Sequence, residues 1–136
     1  MLPKTLYEGT KRQYIENIAK QINASFENNI FDGCAVLMRR LLEILLILTY
    51  QNLGIDSQIK DGNGNYHLLD KIISDAVQNP ALSLSRTTKP HIEVFRQLGN
   101  FSAHRIEYNC RKQYIDEILL EYRAAIEQLL YKSGLK

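Results

Sequence analysis

Residues 34–53 read CAVLMRRLLEILLILTYQNL, and the fold turns on what this stretch is. It is apolar enough to mimic a membrane span. However, Arg39, Arg40 and Glu43 sit near its middle, where each charge would be costly at a bilayer centre. A helix that is apolar on nearly all sides has to be surrounded by other helices or covered by a partner subunit. The stretch therefore reads as the central helix of a helical domain. Asp32 is its expected N-cap and Gly54 its expected C′ residue.

The flanking segments carry the same period. Ile15, Ile18, Ala19, Ile22 and Phe26 make one stripe of an amphipathic helix over about residues 11–28. Residues 54–66, GIDSQIKDGNGNY, form the longest irregular stretch, rich in residues that tolerate positive φ. Asp61, Asn63 and Asn65 echo a calcium loop. Tyr66 then stands where such a loop needs glycine and Ile72 where it needs glutamate, so calcium is rejected. Leu68, Leu69, Ile72, Ile73 and Ala76 predict a short helix ended by Pro80. Thr87 or Thr88 is the expected cap of a helix over about 90–105, with Pro90 in its first turn. Ile115, Ile118, Leu119, Tyr122, Ile126, Leu129 and Leu130 predict a last helix over about 110–132, closed by Gly134. No run alternates as a strand does. The expectation is an all-α, up-and-down bundle of four long helices plus one short helix, one domain over 1–136 with residues 1–10 as an irregular N-terminal arm.

Composition bounds the function only loosely. At 136 residues the chain can bury one core, and 45% hydrophobic residues exclude disorder. A net charge of +2 and a pI near 8.5 fall short of the strong basic footprint of a nucleic-acid binder. Cys34 and Cys110 have no metal-ligand spacing and read as reduced, buried thiols. The start, MLPKTLYEGTKRQ, lacks the apolar stretch of a signal peptide. A cytoplasmic protein with no membrane partner is expected. His67, His91 and His104 show no metal-ligand spacing, and there is no phosphate-binding glycine loop or nucleophile elbow. No metal and no cofactor are expected.

One further segment, residues 91–105, HIEVFRQLGNFSAHR, gathers chemistry. On a helical wheel Ile92, Phe95, Gly99 and Ala103 share a face, and Arg96, Asn100 and His104 form the neighbouring stripe at i, i+4, i+8. A mid-helix glycine costs about 1 kcal/mol against alanine, so Gly99 suggests the close approach of another helix. Arg39 and Glu43 are an i, i+4 pair in an apolar helix and need partners. A polar knot of Arg39, Glu43, Asn100 and Arg96 between the two helices would supply them. Tyr108, Tyr114, Tyr122 and Tyr131 read as helix-interface residues more than as a base-stacking platform.

The order Arg39-x-x-Leu42-Glu43, then Arg96-x-x-Gly99-Asn100-x-x-Ala103-His104, resembles the HEPN superfamily (higher eukaryotes and prokaryotes, nucleotide-binding), in a bacterial branch described as a domain of unknown function. The resemblance covers about residues 14–131. It implies an all-α bundle that often pairs as a homodimer, and many such proteins are metal-independent ribonucleases or parts of toxin, defence or RNA-processing systems. Their motif is an arginine, commonly followed by a polar residue such as asparagine, then a histidine about four to six residues after the arginine, roughly one to one and a half helical turns. Here Gly99 stands where that arginine is expected, and Arg96 lies one turn earlier.

On this resemblance the first expectation is a non-catalytic interaction or RNA/nucleotide-binding module, a homodimer or the partner of another protein, possible in a defence or toxin–antitoxin setting. Arg39, Glu43 and Arg105 would then be binding residues. The alternative is a ribonuclease in which His104 moves the proton of a ribose 2′-hydroxyl, Arg96 stabilises phosphate charge and Asn100 orients them. A third reading is a purely structural bundle. A functional RNA cleft would gather Arg96, His104, Arg105, Arg111 and Lys112 on one open surface.

Overall fold

A computed structural model describes residues 1–136. The chain is all-helical: α1 (Lys4–Tyr7), α2 (Gln13–Glu27), α3 (Phe31–Asn52), a 3₁₀ turn (Asp56–Ile59), α4 (Leu69–Gln78), α5 (Ile92–His104) and α6 (Lys112–Lys132). There is no strand, only one antiparallel bridge between Lys60 and Tyr66 across the irregular loop. No helix is long and apolar enough to cross a membrane.

The stretch 34–53 becomes the axis of the bundle, packed against α2, α5 and α6. Met38, Leu41, Leu42, Leu45, Leu46, Thr49 and Tyr50 are fully buried along one side of it. The Tyr122 hydroxyl reaches back from α6 to donate to the Met38 carbonyl (2.8 Å), and its ring meets Phe95 edge-on at 5.3 Å. Helices α3, α5 and α6 thus share one aromatic contact. The opposite side of α3 stays only half-covered: Val36, Leu37, Glu43, Ile44, Ile47 and Leu48 keep partial exposure and Arg40 is exposed. Leu37, Ile44, Ile47 and Leu48 still pack against the edge of the core, so the apolar character of this helix is buried fully on one side and partly on the other.

Helix ends follow backbone chemistry. At Gly54 (φ 71°) the Ile55 N–H bonds the Tyr50 carbonyl and the Gly54 N–H bonds that of Gln51, which closes α3 as expected. Gly134 closes α6 with the same pair of bonds. Asn29 (φ 60°) does so for α2, since asparagine is among the few side chains that tolerate this conformation.

The expected N-caps differ. Asp32 lies inside the first turn of α3, and its carboxylate instead accepts the Cys110 N–H at 2.7 Å, tying the α5–α6 loop to the start of α3. Thr88 contributes its main-chain carbonyl, which accepts the N–H groups of His91 and Ile92, while its hydroxyl bonds Ser85. Asp61 caps its own loop by accepting the N–H groups of Asn63 and Asn65.

The N-terminal arm is anchored to the bundle. Leu2, Leu6 and Tyr7 are buried, and Asn23 bonds both the N–H (2.7 Å) and the carbonyl (2.9 Å) of Leu2. Arg123 donates to the Met1 carbonyl, and Lys136 to the carbonyls of Thr5 and Leu6.

At Gly99 the backbone of α5 lies directly against α3. A Cβ there would stand 2.5 Å from the Arg39 Cβ and 2.8 Å from the Ala35 carbonyl oxygen. Neither obstacle is the free end of a side chain, so the helices would have to move apart. Overpacking of this kind costs about 1–3 kcal/mol, against the roughly 1 kcal/mol that alanine gains in helix propensity. Gly99→Ala is expected to lower the urea midpoint, by up to about 2 kcal/mol of stability at unchanged m-value. A variant as stable as the parent would show that the contact is slack.

Candidate functional site

Helix α5 distributes the residues of the sequence motif over three different surroundings. Ile92, Phe95 and Gly99 face the core, as the wheel predicts. Ala103, expected on the same contact, is exposed, because α5 reaches its end just beyond the contact of Gly99 with Ala35.

The polar knot does not form. Arg39 lies along the α3–α5 contact, its Cβ and Cδ against Gly99 and its Nε buried with no acceptor. No ion pair joins Arg39 to Glu43, although they are one turn apart. Arg96 is taken by Glu93, which accepts from its Nη2 at 2.5 Å and its Nε at 2.9 Å. This pair and its hydrogen bonds raise the Arg96 pKa. The reason is local: Glu93 is one turn away on the same helix, so the pair closes no long loop and orders no second element. Asn100 is half-buried.

His104 ends α5 and is exposed. A helical rise of 1.5 Å per residue puts its Cα about 12 Å along the axis from that of Arg96, and the pull of Glu93 draws the guanidinium still further off. The stripe Arg96–Asn100–His104 is therefore continuous in sequence but carries no shared site within one chain.

What His104 does adjoin is the α5–α6 corner. Here an open hollow of about 570 Å³ is lined by His104, Arg105, Ile106, Glu107 and Tyr108. The Arg105 guanidinium lies 4.0 Å from the centre of the Phe101 ring, one helical turn earlier. Tyr108 meets Phe101 edge-on at 5.9 Å and stacks on Tyr114 at 6.3 Å. Burial pushes the Tyr108 phenol pKa up. Arg111 and Lys112 begin α6 and are exposed; Lys112 pairs with Asp116 at 3.1 Å and stands over Phe26 at 5.5 Å. Tyr108 and Tyr114, expected at helix interfaces, join Phe101 in this corner instead. The spacing of Phe101 and Arg105, one turn apart at a helix end, was the available signal.

Other reactive groups are structural. Burial pushes the Cys34 thiol up to about 12 and raises that of Cys110, so both are protonated and poor nucleophiles near neutrality. The Tyr50 hydroxyl donates to Asp75 in a part-buried contact between α3 and α4. No three metal-ligating side chains come together. Among known proteins, no family model, no curated protein and no solved structure matches the chain.

The orphaned Arg39 Nε leads to an expectation about stability. A buried donor without an acceptor costs about 1–3 kcal/mol, while the arginine stem packs against Gly99. Arg39→Met keeps the stem and removes the orphan, so its thermal midpoint is expected to equal or exceed the parent's. Arg39→Ala, which loses the packing, should melt lower. A lower midpoint for the methionine variant would indicate a charge partner for Arg39.

Proposed function

We propose that the chain is a non-catalytic, HEPN-like domain that binds RNA or nucleotide without cleaving it, and that it works as a homodimer. The observation that carries this reading is the separation of Arg96, held by Glu93 at 2.5 Å, from His104, exposed at the far end of α5. Cleavage at a ribose would need a proton-transfer group and a phosphate-stabilising cation at one scissile bond. Binding needs only cations and an open surface. His104, Arg105, Arg111 and Lys112 are all exposed at or beside the α5–α6 corner, and of the residues expected in an RNA cleft Arg96 alone stands apart.

The test is a labelled single-stranded RNA followed by anisotropy at rising salt and by denaturing gel, with His104→Ala beside the parent. Binding that weakens with salt, with a log–log slope of about −1.4 to −2.1 for roughly two to three phosphate contacts on a single strand, and intact RNA in both samples are expected. Cleavage by the parent that His104→Ala abolishes would establish a ribonuclease instead. Absence of any RNA or nucleotide binding would overturn the reading.

Support for the dimer comes from the outer face of α3. Leu37, Ile44, Ile47 and Leu48 are incompletely covered there, and Arg40 and Glu43 have no ion-pair partner in the chain. A two-fold interface must be self-complementary. Two antiparallel α3 helices would set Arg40 of each copy against Glu43 of the other, with the aliphatic side chains around them. Light scattering after size exclusion is expected to give a dimer mass, and Ile47→Glu a folded monomer. A monomer mass for the parent at micromolar concentration would dismiss the pairing.

A further inference from the structure

We infer that the α5–α6 corner is a stacking platform for an unpaired base, so that the RNA bound there is single-stranded. This rests on the RNA-binding reading above and adds the site and the mode of recognition. Arg105 is exposed and makes no ion pair, and its guanidinium stands 4.0 Å from the centre of the Phe101 ring, whose face attracts the cation. A guanidinium this close to a ring on one side, on an exposed residue, leaves its other side open to solvent. A planar cation open in this way is a surface on which nucleobases stack.

The platform is braced from behind. Tyr108 stands edge-on to Phe101 and stacks against Tyr114, while the Cys110 N–H, two residues on, is held by Asp32 of α3 at 2.7 Å. Such bracing limits the ordering that binding would otherwise require. Phe101, Tyr108 and Tyr114 all keep partial exposure, unlike the core aromatics Phe95 and Tyr122. The hollow over Arg105 and Tyr108, about 570 Å³, falls in the range of small-ligand sites and has room for a base with its sugar. Arg105 and Glu107 line it with one charge of each sign, and the exposed His104 imidazole beside them offers an N–H to an adjoining phosphate. A duplex keeps its base faces stacked inside and cannot offer one to Arg105. Discrimination between single strands and duplexes follows from that geometry.

Anisotropy with a fluorescein-labelled oligouridine of about twelve nucleotides, beside an RNA duplex of equal length, tests the platform; the oligomer spans a typical single-strand site. The single strand should bind more tightly. Arg105→Lys keeps the charge and removes the plane, and is expected to weaken the single strand about tenfold, the scale of one stacked base, with duplex affinity unchanged. Tyr108→Phe should bind like the parent and Tyr108→Ala more weakly. Arg105 is exposed, so its lysine variant remains decisive if Tyr108→Ala fails to fold. Equal affinity for strand and duplex, or an Arg105→Lys protein that binds the single strand like the parent, would sink the platform and leave RNA binding standing. Loss of both affinities in the parent would remove the wider reading as well.

Discussion

Where α5 crosses α3, the carbonyl of Ala35 and the stem of Arg39 occupy the space in which a side chain on residue 99 would have to stand. Much of the rest follows from that approach. With Gly99 seated on α3, Ile92 and Phe95 reach the core, Phe95 finds the edge of Tyr122, and Tyr122 reaches the Met38 carbonyl on the helix from which the chain of contacts began. A close-packed interior transmits such spacing because it has few voids in which to absorb a shift. One missing methyl group thereby positions three helices.

The same approach decides where the charges of α3 go. Arg39 serves the contact with its aliphatic stem, and its Nε loses water without gaining an acceptor. Glu43 and Arg40 belong to the side of α3 that no other helix fully covers. Arg96 meets Glu93 one turn away before it can meet anything on α3. Local pairing prevails because it needs no second element to be ordered. What the motif spacing suggests as one polar seam is, in three dimensions, a packed arginine, a surface ion pair and an outward-facing charged stripe.

The two ends of α5 accordingly differ in kind. Its first half is core and ion pair; its last turn opens into a corner where His104 and Arg105 adjoin Phe101, Tyr108 and Tyr114. Asp32 holds that corner to the start of α3 through the Cys110 N–H, a use of the carboxylate unrelated to capping its own helix. Cations at the C-terminal end of a helix are favoured by its dipole, which is consistent with a basic surface there.

Periodicity by itself determined the helical class, the central place of residues 34–53, the amphipathic faces of α2 and α6 and the closures at Gly54 and Gly134, because burial and backbone conformation act over one or two turns. Glycine in mid-helix was enough to announce the α3–α5 contact. Tertiary structure alone decided that Arg39 and Glu43 do not pair, that Asp32 reaches Cys110 across 78 residues, that residues 1–10 are anchored by Asn23 and Lys136, and that the aromatics of the α5–α6 corner meet beside Arg105. Each of those outcomes is a competition among partners distant in the chain. A charged or polar group takes whichever one the packing brings within about 3 Å, and no spacing rule along the sequence encodes that distance.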